Sequence, residues 1–83
     1  MEFYVMHKIA QIIGEQNRTE PTVYLELRSR AYQKLHQFIV NLSAYEVPEF
    51  IQKDIADSVI EDISKATTEE EIETIFKNHK IFS

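Results

Sequence analysis

Three histidines, His7, His36 and His79, are the side chains of this 83-residue sequence best suited to proton transfer or metal ligation, and it contains no cysteine. The histidines are scattered, and none stands in a spacing such as H-E-x-x-H that sets two ligands and a base on one helix face. A single glycine leaves no phosphate-cradling loop, and no G-x-S-x-G turn is present. Asp54, Asp57 and Glu61 recur at helical spacing and could gather round a cation. Helical metal sites, however, combine carboxylates with histidines from facing helices. A solvated acidic face is the simpler reading, so the expectation is no catalytic residue, no metal and no cofactor.

Two groups of residues suit binding. Tyr24, Arg28 and Tyr32 are four apart and stack along one side of a helix, with Arg28 between two apolar bands. An arginine there can pack its stem and stack its guanidinium on tyrosine. It either pairs internally with an acid of the third or fourth helix or meets a partner, since tyrosine and arginine are enriched at interface hot spots. The second group is Ile81 and Phe82 in the ending "NHKIFS", two large apolar residues that must fold back on the core or be covered by a partner.

The elements that position these residues are helical. One glycine and two prolines supply too little turn chemistry for a small all-β domain. The expected architecture is a single all-α domain, a compact antiparallel bundle of about four helices near residues 4–13, 20–42, 48–64 and 69–79. In the first, Val5, Met6, Ile9, Ala10, Ile12 and Ile13 fall on one side, and Gly14 is a candidate C-cap. In the second, Tyr24, Leu27, Ala31, Leu35, Phe38 and Leu42 form a seam, flanked by Leu25, Tyr32, Ile39 and Val40. Thr19 is its candidate cap, and Pro21 and Pro48 suit first turns. Ile51, Ile55, Ala56, Val59, Ile60 and Ile63 make the third apolar face. The run "TTEEEIETIF" carries four glutamates at positions 69 to 73. It reads as a helix start, with Thr67–Glu70 or Thr68–Glu71 as capping box and Lys77, His79 and Lys80 complementing the dipole at the other end.

Composition narrows function. With 43% apolar and 28% charged residues the sequence should fold, and 83 residues suffice for one domain only. No window resembles a membrane span, and the start "MEFYVMHKIAQIIGEQ" lacks the basic region of a signal peptide, so a cytoplasmic protein is expected. A helix-turn-helix nucleic-acid-binding or transcription-regulatory protein is the alternative reading. Charge argues against it, because residues 46–83 hold ten acids and four bases, a surface that phosphate would repel. The best-supported class is a non-enzymatic interaction protein, a regulator, inhibitor or immunity factor acting on a protein partner. The seam of the second helix, if it outruns its neighbours, would leave an apolar patch suited to a homodimer.

The segments "RSRAYQKLHQFIVNL" and "DIADSVIEDISKATTEEEIETIF", in their helix order and apolar spacing, resemble immunity proteins of class II bacteriocins, which are small cytosolic antiparallel helical bundles. That resemblance implies protection of a producer cell by recognition of a bacteriocin–receptor complex at the membrane, with the C-terminal half contributing specificity. It carries over no individual residue.

Overall fold

The computed structural model describes residues 2–81, which form four α-helices: α1 (Glu2–Gln16), α2 (Thr22–Ala44), α3 (Glu49–Ile63) and α4 (Glu69–Asn78). No strand occurs among the described residues. The α2 seam faces the interior as its spacing dictates: Leu27, Ala31 and Leu35 are buried, and Tyr24, Phe38 and Leu42 are half-buried towards the ends. Leu25, Tyr32 and Ile39 of the flanking band are buried too, so α2 has neighbours on more than one side. Val59, Ile60 and Ile63 of α3 and Ile72 and Phe76 of α4 complete the core. From the described side chains of α1, only Val5 joins the fully buried set; Ile9, Ile12 and Ile13 pack on its edge, and Met6 and Ala10 are exposed.

Side-chain bonds fix how the helices lie. Ser43, late in α2, donates to Gln52 early in α3, and Arg28, early in α2, donates to Ala66 just beyond α3, so these two run in opposite senses. Tyr4 meets Asp57, and Gln16 meets Ser64, so α1 and α3 run in the same sense. The start of α1 therefore lies at the same end of the bundle as the α2–α3 connection.

The helix ends depart from expectation in instructive ways. Pro21 and Pro48 occupy the N-cap positions of α2 and α3, with ψ near 141° and 142°, and Thr19 caps neither. An N-cap residue has non-helical backbone and needs no N–H bond, which proline's locked φ satisfies. The α4 start is a capping box built on Thr68 and Glu71: Thr68 Oγ1 accepts from Glu71 N, while the Glu71 carboxylate reaches back to Thr67 N. Gly14 does not end α1, which continues two residues to Gln16, and its φ is not positive. Gln16 is held on that last turn by tertiary bonds to Ser64 and Arg28, which outweigh the glycine's preference.

Left-handed backbone appears instead at Glu46 (φ 59°) and Lys80 (φ 56°). Each follows a helix end, and the residue after it donates five residues back, Val47 N to Leu42 O and Ile81 N to Phe76 O at 2.8 Å. This is the Schellman closure, normally made with glycine, and it seats Ile81 (3% exposed) in the same core as Phe76.

Two substitutions follow from this backbone inventory. An added Cβ at Gly14 meets nothing within 4 Å, so Gly14→Ala should raise helix stability. Lys80→Gly should relieve a left-handed non-glycine residue. Each is expected to stabilise by about 0.5–1 kcal/mol, seen in thermal unfolding as a rise in Tm of roughly 2–8 °C. A lowered Tm for either would contradict the backbone assignment at that residue.

Candidate functional site

Arg28 is 1% exposed and its guanidinium points into the molecule. Its Nε donates to the carbonyl of Ala66 at 2.8 Å, and one terminal nitrogen donates to Gln16 Oε1 at 3.1 Å and Glu20 Oε2 at 2.6 Å. Gln16 in turn donates through Nε2 to the carbonyl of Ser64. The arginine thus pairs internally, and its acid is Glu20 of the α1–α2 connection rather than one on the third or fourth helix. The reason is reach: Glu20 lies two turns before Arg28 across a short loop. The Tyr24 ring centroid lies 5.7 Å from the guanidinium carbon, the stacking that the spacing predicts.

Three of the five residues expected to meet a partner are therefore inside the fold. Arg28, Tyr32 (2% exposed) and Ile81 present no surface: hydrogen bonds hold Arg28 inward, Tyr32 packs in the apolar core, and the Schellman closure seats Ile81. Tyr24 is half-buried beside Arg28, and Phe82 lies outside the described residues. Of the carboxylate trio, Asp54 and Glu61 are exposed, but Asp57 is half-buried and binds α1: it accepts from Tyr4 Oη and Lys8 Nζ, each at 2.6 Å. His79 stands at the α4 C-cap, its Nε2 2.9 Å from Asp62 Oδ2. Among the described residues no group of three His, Cys, Asp or Glu side chains could hold a metal ion.

The surface feature that stands out is apolar. Among the described residues the large exposed apolar side chains are Phe3, Met6, Val23, Tyr45, Phe50 and Ile51, and all but Val23 belong to the end of the bundle where α1 starts and α2 meets α3. Phe3 is 87% exposed, Tyr45 82% and Phe50 70%, where a small monomeric domain gains by burying such groups. This end is held firmly. Gln52, 2% exposed, donates to the carbonyl of Val47 at 2.7 Å and accepts from Ser43, closing the α2–α3 connection beneath Tyr45 and Phe50. The Tyr4–Asp57–Lys8 cluster pins the start of α1 alongside, with Lys53 Nζ 5.4 Å from the Tyr4 ring centroid. Among the described residues of this end, exposed Glu46, Glu49 and Asp54 stand against exposed Lys53, while Lys8 is paired with Asp57, so the rim is acidic.

Sequence reasoning passed over these residues because Phe3, Tyr45 and Phe50 lie outside every apolar stripe. That exclusion was itself the signal: large apolar side chains left over once the stripes are assigned have no core to enter. No protein-family model, curated protein or solved structure matches the chain.

The two polar clusters make stability pH-dependent. The hydrogen bond from Arg28 holds the Glu20 carboxyl below its ordinary pKa. Burial pushes Asp57 up, but the bonds donated by Lys8 and Tyr4 outweigh it and leave the carboxyl lowered. The bond to Asp57 raises Lys8. A carboxyl lowered in the folded state stabilises fully above its unfolded value, about 4 for these residues, and that contribution is lost as pH falls through the folded value. The raised Lys8 contributes below its unfolded value and loses its part only in strong alkali. Denaturant midpoints should therefore fall as pH drops below about 4, and less steeply in Glu20→Gln. Arg28→Ala should lower unfolding free energy at neutral pH by about 2–3 kcal/mol, because it leaves the Ala66 carbonyl and Gln16 Oε1 without their donor and opens a void. Unchanged stability in Arg28→Ala would show that the node does not hold the fold.

Proposed function

We propose that this chain is a small non-enzymatic helical interaction protein, a regulator, inhibitor or immunity factor, that binds a protein partner in the cytoplasm through the apolar end formed by Phe3, Tyr45, Phe50 and Ile51. The observation that carries this reading is the concentration of exposed aromatic side chains on one rigid end. Aromatic residues on a fixed scaffold bury large area at little entropic cost, which is why they anchor interfaces. The acidic rim of Glu46, Glu49 and Asp54 favours a partner segment in which basic residues flank apolar ones.

The most specific form of the proposal comes from the resemblance to class II bacteriocin immunity proteins: the partner would be a bacteriocin–receptor complex met at the membrane surface. No helix of the described residues is long and apolar enough to cross a membrane itself, so such a role would be exercised by docking. Self-association through the same end is a competing occupancy. The nucleic-acid alternative is disfavoured by charge, since exposed Glu69, Glu70 and Glu71 open α4, the helix that would enter a groove.

Site-specific photocrosslinking in the native host separates these readings. A crosslinker at position 50 should capture one discrete protein, and one at exposed Gln33, away from that end, should not. A Tyr45→Ser/Phe50→Ser variant should keep its Tm within about 2 °C, since exposed positions contribute little to folding, and lose the captured partner. Expression in bacteriocin-sensitive cells should confer survival that this variant abolishes. Capture from position 33 but not 50 would refute the surface, and absent protection would refute the immunity form alone.

A further inference from the structure

Between α1 and α2 runs an apolar groove of about 360 Å³, bordered by Met6, Ile9 and Ile13 on one side and Tyr32 and His36 on the other. That volume suits a small organic molecule. The Tyr32 hydroxyl and His36 Nε2 are both shut off from solvent, and among the described residues neither has a hydrogen-bond partner. Buried polar atoms are nearly always paired, so an unpaired one requires an explanation. Here there are two, on residues four apart on one face of α2 that both line the groove, and the two atoms lie beneath its surface, to be uncovered when a side chain at its border moves. Burial raises the Tyr32 phenol to about 12, so it keeps its proton and donates. No carboxylate lines the groove, although the chain carries a net charge of −5. Met6, 53% exposed at its border, is a flexible thioether able to swing aside and admit a ligand.

We propose that this groove binds a small, mainly apolar molecule bearing a carbonyl or carboxylate group, its chain lying along Met6, Ile9 and Ile13 and its polar end, once Met6 swings aside, accepting a hydrogen bond from the Tyr32 hydroxyl and meeting His36 Nε2 in the tautomer protonated there. These two groups fix the polar end, and a lining without acids, with the Arg28 charge acting on Tyr32 more strongly than that of its partner Glu20, allows that end to be anionic. This site stands independently of the protein-binding end, with which it shares only Met6.

The test is an NMR titration of the full chain with sodium decanoate and, separately, 2-decanone, both below their aggregation limits. Saturable shifts at the Met6 methyl, Ile9, Ile13 and the His36 ring are expected with at least one probe. Binding of decanoate alone assigns the head group as carboxylate, and binding of the ketone alone or of both assigns the carbonyl oxygen as sufficient. Tyr32→Phe should weaken binding about tenfold or more, the loss of a hydrogen bond to a buried partner, while Tm stays the same or rises, because an unpaired hydroxyl is removed and the ring remains. A purely structural role for Tyr32 would move Tm and not affinity. Absence of saturable shifts at the groove with both probes, shifts centred on Phe3, Tyr45 and Phe50 instead, or undiminished binding by folded Tyr32→Phe would overturn the proposal.

Discussion

A guanidinium cannot be buried without acceptors, and the burial of Arg28 organises one whole end of this molecule. Arginine is always charged and carries five N–H donors in a rigid fork. Placing it at 1% exposure requires acceptors on several sides, and these come from the last turn of α1, the α1–α2 connection and the α3–α4 connection. Gln16 closes the ring by donating to the carbonyl of Ser64. The junctions of all four helices are thereby tied to one side chain on α2, and the continuation of α1 past Gly14 follows from it.

The opposite end is built on different physics. There the α2–α3 connection closes on left-handed Glu46, which is not glycine, and on the buried Gln52, and α1 is pinned to α3 by the Tyr4–Asp57–Lys8 cluster. These devices hold the backbone without burying the aromatic side chains beside them. Phe3, Tyr45 and Phe50 therefore remain in water on a firm support, in a protein too small to expose apolar area without loss of stability. Rigid support and exposed aromatics together are what a preorganised binding surface requires.

Helix α1 is the least committed element. Val5 alone of its described side chains is fully buried, and the flank it presents to α2 leaves an apolar groove bordered by two residues with unpaired polar atoms. Ile9, Ile12 and Ile13 pack only on the edge of the core, and polar contacts hold α1 at its two ends, so its middle is open on one side.

Much of this architecture was legible in the sequence. The α2 seam, the apolar face of α3 and the α4 capping box are set by periodicity and by contacts three or four residues apart, which depend on local backbone geometry alone. What the sequence could not determine is which partly apolar residues turn inward. Arg28, Tyr24 and Tyr32 share one helical side, yet two are buried and one half-buried: Arg28 turns inward on the Ala66 carbonyl delivered from far along the chain, and Tyr32 is covered by the apolar core that the other helices bring to it. Ile81 and Phe50 are both large and apolar near helix ends. One is buried because a Schellman turn carries it onto Phe76, and the other is exposed because α3 leaves the α2–α3 connection with its first turn facing water. Periodicity fixes which residues share a face; only the assembled helices decide which faces find a neighbour.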